Sequence, residues 1–430
     1  MKIINISFLT VLFCLLTPLC LHGEITIEEC VRKAEANYPL IRKYELLKAT
    51  RDIELSEINR SWLPRAGVYG QITVQNNVPS FPELLTDVLQ QMGGNIRGTG
   101  KIQYKAGIDI SQPVWDGGTS RARREVTRAR EAVQQSALDV ELYTVRQRVE
   151  NIYFAILLTE EQIARNSITY NLLLSNLERL HSMLRNGTAM KSDVDMVEAQ
   201  AIMVNQGITQ ARSAVRGYRN VLEIFIGENI GNESLVLPVA DIPPTNESDR
   251  PEMRLFEKRL AANAAAGSLH NTYLMPEIGL FAQAFYGYPG FNYFKSMMNR
   301  KLSFNIMAGV KVSWNISSLY TKQTNARRVA AEAKEINTDR EVFFFNSDIQ
   351  SASQIETING LHDIMKDDAK IISLRANVRR AAESQLQNGI IDTTALLAKI
   401  SNENTGELTA ALHRIQLQQE IYKLKYTLNR

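Results

Sequence analysis

The chain has 430 residues, of which 44% are hydrophobic and 22% charged, and its formal net charge is +3. The basic residues are spread along the chain and form no patch, which argues against nucleic acid as a partner. After residue 24 there is no run of 18 or more apolar residues, so no later segment is expected to cross a bilayer as a helix. Strands are the remaining way for the rest of the chain to cross a membrane.

The first 23 residues have the pattern of an export signal. Lys2 precedes a mostly apolar stretch from Ile3 to Leu21, and Gly23 offers a small residue for cleavage. The mature chain is therefore expected to begin at Glu24. A membrane anchor is the alternative interpretation, whereas lipidation at Cys20 is disfavoured because large residues precede it. Removal of the signal would leave Cys30 as a single cysteine, for which we expect a packed structural position.

Two sequence patterns recur in the second half of the chain, which indicates an internal duplication. Leu-Arg-Asn-Gly at 184–187 returns as Leu-Gln-Asn-Gly at 386–389, and Ala-Gly-Ile-Asp-Ile-Ser at 106–111 returns as Ala-Gly-Val-Lys-Val-Ser at 308–313. Both patterns are displaced by 202 residues. We therefore predict two structural repeats, residues 24–230 and 251–430, with a linker at 231–250 that contains a short strand near Leu235.

Each repeat is predicted to contain one β-hairpin. A helical pattern from Ile25 to about Asn59 is stopped by Pro64. Residues 66–74 then alternate between apolar and polar side chains, as do residues 105–111, and an apparently irregular loop at about 76–101 separates these two strands. The second repeat shows the same alternation at 278–286 and 304–314. Each hairpin should thus have one apolar and one polar face.

Long helices are predicted between the hairpins. Residues 119–186 contain almost no helix-breaking residue and would span roughly 100 Å as one helix. After Gly187, apolar residues recur at alternating spacings of three and four from Val194 to Phe225, which is typical of coiled-coil packing. Asn186-Gly187 and Asn388-Gly389 are predicted turns between antiparallel helices, since Gly readily adopts the left-handed conformation that ends a helix.

Four strands with one apolar face indicate a membrane barrel, but four strands are too few to close one. Single-chain bacterial barrels begin at about eight strands, so several copies of the chain would have to contribute. Two copies would supply eight strands and three copies twelve. A small soluble β-sandwich attached to coiled coils is the alternative architecture.

The chain resembles the TolC family of bacterial outer-membrane efflux proteins over essentially its whole mature length. Residues 111–118, Ser-Gln-Pro-Val-Trp-Asp-Gly-Gly, resemble the family's junction between a strand and a long helix, in which Pro113, Trp115, Gly117 and Gly118 are the candidate junction residues. The Leu-x-x-Gly turn followed by Asp193-Val194 is similar to the family's lower helical tip, and Leu63-Pro64 is similar to its first helix-to-strand turn.

The resemblance implies a fold that is mainly α, with long antiparallel coiled-coil helices and four strands per chain. Three chains would form a twelve-stranded β-barrel in the lipid of the outer membrane, continued by a helical tunnel through the periplasm. The implied function is a passive exit duct for efflux or type I secretion. The implied partners are a periplasmic adaptor (membrane fusion) protein and an inner-membrane transporter, with no cofactor and no metal. The exported substrate stays open.

Two positions depart from the family pattern. In the second repeat Asn315 stands where the first has Pro113, so that turn lacks its proline and its geometry is left open. Family members often carry aspartates at the positions of Ala395 and Ala398, where they form an acidic constriction. The usual acidic gate is therefore doubtful in its usual place.

The candidate tunnel tip and adaptor-docking residues are those at the two turns: Asn186, Gly187, Asp193, Asp195, Asn388, Gly389 and Asp392. The three aspartates have two interpretations. They either cap helix N-termini or form charged rings by threefold symmetry. His181, His270, His362 and His413 are scattered without metal-ligand spacing, which disfavours an enzyme. A periplasmic adaptor or structural coiled coil is the remaining alternative.

Overall fold

A computed structural model of the protein describes residues 24–93, 98–231, 233–244 and 248–429. The predicted signal peptide, residues 1–23, lies outside the described residues. The chain forms two compact units: unit 1 comprises Met1–Tyr44, Ser136–Arg254 and Arg340–Arg430, and unit 2 comprises Glu45–Gln135 and Leu255–Asp339. Both predicted repeats contribute residues to each unit. The division into repeats 24–230 and 251–430 with a linker at 231–250 stays a prediction.

The fold is mainly helical, with long helices and one antiparallel sheet among the described residues, as predicted. The helices are α1 (Ile27–Asn37), α2 (Ile41–Arg60), α3 (Glu83–Gln91), α4 (Thr119–Arg185), α5 (Lys191–Ile226), α6 (Pro251–Thr272), α7 (Tyr293–Met298), α8 (Ser318–Gln387) and α9 (Thr393–Leu428). The strands are β1 (Arg65–Val74), β2 (Ile102–Trp115), β3 (Glu277–Tyr288) and β4 (Ser303–Ser313). None of the helices in the described ranges is both long and apolar enough to cross a membrane.

Unit 1 is built from two helical hairpins, formed by parts of α4 and α8 with α5 and α9. The predicted coiled-coil seam of α5 is largely buried: Val194, Val197, Ala201, Ile208, Ala211, Val215 and Leu222 lie in the interior. Tyr218 is the exception, with 39% of its surface exposed. The spacing of three and four places these side chains on one helix face, and their burial against neighbouring helices confirms that face as the packing surface.

The interior of unit 1 contains three clusters of buried apolar side chains. The largest joins α1, α4, α5 and α9, and includes Ile27, Val149, Tyr153, Leu222 and Tyr422. A second joins all four hairpin helices near the two predicted turns, and a third packs Ile358 of α8 against the C-terminal part of α9. Cys30 lies in the largest cluster, 1% exposed, and burial raises the pKa of its thiol to about 11. The predicted packed position of this cysteine is confirmed.

Unit 2 carries the sheet, whose strand order is β1-β2-β3-β4 with every neighbouring pair antiparallel. Val68 pairs with Ile108, Ile108 with Ala284, and Ala284 with Ile306. Because side chains alternate along a strand, this register collects the apolar residues of all four strands on one face. The two predicted hairpins therefore form one continuous sheet.

Three expectations about the elements were wrong or incomplete. The predicted helix from Ile25 to Asn59 is broken, because Tyr38 precedes Pro39 and takes an extended conformation with ψ of 132°. The loop predicted at about 76–101 contains helix α3, which is only two to three turns long and gave little periodicity. In the predicted linker strand, Leu235 makes only one isolated bridge, to Ile25.

Candidate functional sites

The two Asn-Gly turns have the same backbone structure. Gly187 has φ of +73°, its N–H donates to the carbonyl of Leu184 at 3.0 Å, and Thr188 N–H donates to the carbonyl of Met183 at 2.9 Å. This pair of hydrogen bonds is a Schellman motif, which satisfies the carbonyl groups left free at a helix C-terminus. The turn after α4 thus ends the helix sharply and returns the chain into α5.

The second turn repeats this arrangement bond for bond. Gly389 has φ of +70°. Its N–H donates to the carbonyl of Leu386 at 3.0 Å, and the N–H of Ile390 donates to the carbonyl of Gln385 at 2.9 Å. Asn186 and Asn388 precede the glycines. Their backbone N–H groups donate to the backbone carbonyls of Ser182 and Ser384, both at 3.2 Å. The duplicated sequence therefore produces a duplicated turn.

Two of the three candidate aspartates cap the helices that follow these turns. Asp193 Oδ2 accepts a hydrogen bond from the N–H of Met190 at 2.9 Å, and Asp392, the N-cap of α9, accepts from the N–H of Ala395 at 2.7 Å. Both carboxylates satisfy free amides and lie at the positive end of a helix dipole. Asp195 is exposed on the surface of α5. Helix capping alone therefore accounts for Asp193 and Asp392.

The structure brings the two turns together within unit 1. Leu173 and Leu180 of α4, Val194, Val197 and Ala201 of α5, Ala382 of α8, and Leu396 and Ile400 of α9 form one buried cluster. Thr394 Oγ1 also donates to Met196 Sδ at 3.4 Å. Next to this cluster, Met190 and Ile390 are 73% and 69% exposed. The two hairpins therefore end side by side, with an apolar side chain exposed beside each turn.

In unit 2, the apolar face of the sheet is its exposed face. Val68 is 85% exposed, and Phe304 and Val310 are also mostly exposed. A water-soluble sheet normally covers such a face. The predicted separation into an apolar and a polar face is confirmed, and none of the described residues covers the apolar face.

The polar face of the sheet is crowded by comparison. Gln283 donates to the hydroxyl of Tyr69 at 2.7 Å, and Lys105 Nζ lies 5.8 Å from the ring centroids of both Tyr69 and Phe285. At Gly107 a Cβ atom would lie 2.5 Å from the carbonyl oxygen of Ala284. Glycine is therefore required at position 107, because neighbouring strands approach too closely there for a side chain.

The predicted junction residues occupy the turn from β2 into α4. A register shift opposite Ile278 separates Pro113 from Trp115, and Pro113 cannot donate to a strand neighbour. Gly117 and Gly118 have φ of +66° and +87°, and a Cβ at Gly117 would lie 2.8 Å from Cβ of Met275. Both glycines are therefore needed for the turn.

Side chains around each junction fix its geometry. Asp116 Oδ1 accepts from Gly118 N–H at 3.0 Å and Asp116 Oδ2 accepts from Ser120 N–H at 2.6 Å, so Asp116 caps the start of α4. In the second repeat, Trp314 Nε1 donates to the carbonyl of Leu274 at 3.0 Å. There β4 ends at Ser313, before the tryptophan, whereas β2 continues to Trp115. The two junctions therefore differ in where the strand ends.

Two buried carboxylates were not predicted from the sequence: Glu403 of α9, which pairs with Arg379, and Glu150 of α4. Glu150 is 9% exposed, and burial raises its pKa to about 8. Tyr143, Glu150 and Leu157 recur at a spacing of seven residues, and all three are buried. The sequence signal for the buried position of Glu150 is therefore a glutamate that takes the place of an apolar residue in a seven-residue repeat. Within the described ranges, no group of three or more His, Cys, Asp or Glu side chains is arranged to hold a metal ion.

No protein-family model and no curated protein sequence matches the chain. Solved structures do match it. The outer membrane protein VceC from Vibrio cholerae is 12% identical, with 94% of each chain covered and a TM-score of 0.65. The CmeC outer membrane channel of Campylobacter jejuni is 12% identical, covering 94% of this chain and 85% of that one, with a TM-score of 0.64.

A third match is the open state of the MtrE outer membrane channel of Neisseria gonorrhoeae. It is 15% identical, covers 93% of this chain and 88% of that one, and has a TM-score of 0.62. Such identities are too low to carry residue roles across, but the similarity extends over almost the whole chain. The chain therefore has the fold of these outer-membrane channels, which is the fold that its resemblance to the TolC family predicted.

Proposed function

We propose that three copies of this chain form a passive duct through the outer membrane, which continues as a helical tunnel into the periplasm. The observation that carries this proposal is the four-stranded sheet, whose apolar face is exposed and whose outer strands β1 and β4 each have one neighbour among the described strands. An uncovered apolar face suits contact with lipid, and an open edge suits pairing with another strand.

The strand directions favour closure by identical copies. Because the four strands alternate in direction, β4 of one chain and β1 of the next would be antiparallel in a ring of chains. A head-to-tail interface of this kind forms a closed ring when the rotations between neighbouring copies add up to a full turn. Three chains would give about twelve strands, an even number above the roughly eight that bacterial barrels need.

Strand length also supports a membrane location. The four strands contain 10, 14, 12 and 11 residues. A tilted transmembrane β-strand needs about 9–11 residues, so each strand is long enough to cross the apolar layer. The outward face would contact outer-membrane lipid, and the polar face with Lys105 and Asp109 would line the pore.

We further propose that the duct works with a periplasmic adaptor protein and an inner-membrane transporter. The two turns support this proposal, because they lie together at one end of the helical hairpins, where Met190 and Ile390 are exposed beside Gly187 and Gly389. An exposed apolar side chain next to a rigid turn provides a docking point for a partner protein.

Disulfide crosslinking between the edge strands tests the trimer. In a Cys30→Ser background, single cysteines at alternate residues of β1 from Gly67 to Thr73 are combined with single cysteines at alternate residues of β4 from Ser303 to Lys311. An antiparallel contact predicts covalent trimers only for pairs whose two residue numbers have a constant sum. The control pair Asp109 and Gln283 are partners in the sheet, so cysteines there should crosslink within one chain.

The membrane fraction distinguishes a duct from an adaptor or structural coiled coil. A closed barrel should resist detergent, so the unboiled protein should migrate as a trimer and change mobility after boiling. Purified protein should also produce stepwise conductance in a planar bilayer. A protein that migrates identically with and without boiling, and gives no crosslinked trimers in any register, would refute the proposed duct.

Photo-crosslinking tests the docking points. A photoreactive amino acid at Met190 or Ile390 should capture a periplasmic adaptor protein, whereas the same group at Gly217, which lies inside α5 and is exposed, serves as the mid-helix control. Capture by the mid-helix position alone would contradict docking at the turns.

The charged-ring hypothesis now concerns mainly Asp195, because Asp193 and Asp392 have capping roles. Under threefold symmetry, three copies of Asp195 would surround the tunnel mouth and favour cations. Replacing Asp195 with Asn should then lower cation selectivity, while Asp193→Asn should change it less. Equal selectivity in the parent and the Asp195→Asn variant would exclude a ring formed by this residue.

A further inference from the structure

A charged cleft lies in unit 1 between α1, α4 and α9, and neither turn contributes to it. Its volume is about 430 Å³, within the range of small-molecule pockets. Three carboxylates and three cationic groups line it, which gives no net charge: Glu28, Arg32, Glu35, Arg146, Glu150 and Lys425. Tyr422 and Tyr426 add aromatic walls.

Glu150 is the most deeply buried charged group of this cleft. Only 9% of its surface is exposed, and its neighbours on α4, Val149 and Tyr153, are fully buried. Among the described residues it has no hydrogen bond and no ion pair within 4 Å. The cleft is where this side chain reaches open space. Glu150 is thus available to a bound molecule.

The other two carboxylates are already engaged. The hydroxyl group of Tyr422 donates a hydrogen bond to Glu28 Oε1 at 2.5 Å. Glu35 Oε1 lies 3.9 Å from Nε of Arg146. Glu28 is therefore hydrogen-bonded within the chain, and Glu35 has both a nearby cation and access to solvent, whereas Glu150 has no partner within 4 Å.

An unmatched positive charge lies in the same cleft. Lys425 Nζ is 5.0 Å from the ring centroid of Tyr422, and no carboxylate of the described residues is within ion-pair distance of it. Arg32 of α1 also has no carboxylate of the described residues within 4 Å, but its side chain is exposed to solvent. The cleft therefore presents one unpaired carboxylate and one unpaired ammonium group that are both partly buried, and an exposed guanidinium group at its edge. A ligand that carries both charges would satisfy both groups at once.

We propose that this cleft binds a small zwitterion of amino-acid or dipeptide size. The ammonium group of the ligand pairs with Glu150, its carboxylate pairs with Lys425, and the tyrosines contact its uncharged part. Charge-assisted hydrogen bonds of this kind are the strong ones, and with Glu150 ionised the neutral lining matches a ligand without net charge. The proposal rests on unit 1 alone and does not depend on the duct function.

The affinity should depend on pH, since the ionised form of Glu150 is the one that binds the ligand. Burial raises the pKa of Glu150 to about 8; Arg146 and Lys425 lower it, whereas Glu28 and Glu35 raise it. At pH 6 this carboxyl group is protonated, and binding an ammonium group must expel the proton. Affinity should therefore increase from pH 6 to pH 8.

Isothermal titration calorimetry of the purified full-length protein tests the site, with diglycine as the probe. We expect a Kd below about 1 mM at pH 8 and binding about fiftyfold weaker at pH 6, because the ionised fraction of Glu150 falls by about that factor. Acetyl-diglycine lacks the ammonium group and diglycine amide lacks the carboxylate, so each should bind about tenfold more weakly than diglycine.

Two variants separate the roles. Glu150→Gln should abolish both the tight binding and its pH dependence, and Lys425→Met should remove the preference for diglycine over its amide. Lys423→Met is the matched control: Lys423 is on the same helix, pairs with Glu420 at 2.7 Å and is outside the cleft, so this variant should bind as the parent does. If Glu150→Gln does not fold, the proposal is tested by Lys425→Met and by the affinities of acetyl-diglycine and diglycine amide for the parent protein.

Three results would overturn the proposal. One is the absence of measurable diglycine binding at pH 8, and another is unchanged binding in both cleft variants. The third is equal affinity for diglycine and its amide, which would show that the carboxylate of the ligand is not recognised.

Discussion

Replacing Gly107 with alanine should destabilise the sheet, because the new methyl group has no room. Gly107 of β2 lies opposite Phe285 of β3. A Cβ atom at position 107 would lie 2.5 Å from the carbonyl oxygen of Ala284 and 2.7 Å from Cβ of Phe285. Opposed Cβ atoms in an antiparallel sheet are normally about 4.5–5.5 Å apart. The strands would have to separate, since the atoms in contact belong to or adjoin the backbone.

The size of the effect follows from the kind of contact. Adding a methyl group to a tightly packed site costs about 1–3 kcal/mol, and backbone atoms yield less readily than the end of a flexible side chain. We therefore expect the upper part of this range for Gly107→Ala. A loss of this size should lower the midpoint of thermal unfolding by several degrees.

Gly70→Ala provides the matched control. Gly70 lies in β1 of the same sheet, and a Cβ at this position would meet no atom within 4 Å. Alanine there should be neutral or slightly stabilising, since glycine loses more conformational freedom on folding. The assay is the temperature at which the unboiled species converts to the denatured monomer on a gel, with scanning fluorimetry as a second readout. Equal conversion temperatures for the two variants would refute the close-approach argument.

Four further predictions concern unit 1. The folded-state pKa of Glu150 is raised to about 8 from 4.5, so stability present below pH 4.5 is lost as pH rises through about 8, by at most about 5 kcal/mol. Scanning fluorimetry from pH 5 to 9 should show this loss in the parent and not in Glu150→Gln; parallel curves would contradict it. Gly187→Ala should cost about 1–2 kcal/mol because of its positive φ, whereas Gly217→Ala, inside α5, should stabilise by about 0.5–1 kcal/mol; equal melting temperatures would disprove the left-handed requirement. Asp392→Ala should cost about 1 kcal/mol and Asp392→Asn less, which chemical unfolding can measure; an alanine variant as stable as the parent would show that the cap is unimportant. Cys30 should resist a thiol reagent at pH 8 until the protein is denatured, because burial raises its pKa to about 11; rapid labelling of the native protein would argue against its buried position.

The features that sequence reasoning predicted correctly are those with a local and repeated pattern. The α5 seam extends over many helical turns, the strands alternate along about ten residues, and Gly187 and Gly389 follow long helices without other breaks. In the helix and the strands, burial of one face sets the residue type at each repeat of the pattern. At the two turns, a positive φ requires glycine at the same place in both copies. The resemblance at residues 111–118 added the expectation of the strand-to-helix junction.

The features that were missed depend on short segments or on contacts between distant ones. Helix α3 contains 9 residues, too few for a helical period to stand out between proline- and glycine-rich flanks. The break at Pro39 was hidden by apolar residues that kept their spacing on both sides. The cleft around Glu150 is formed by α1, α4 and α9, whose sequence positions differ by hundreds of residues, so its charge balance appears only in the fold.

The exposed face and open edges of the sheet have a consequence for how the protein is made. Unit 1 buries three apolar clusters within one chain. In the sheet of unit 2, by contrast, Val68, Phe304 and Val310 remain exposed, and β1 and β4 offer free edges for aggregation. If the protein forms the proposed duct, a newly exported chain would need a periplasmic chaperone. The chaperone would shield these strands until the chain reaches the membrane and assembles with two other copies. Biogenesis, more than transport, would then set how much of this protein a cell can accumulate.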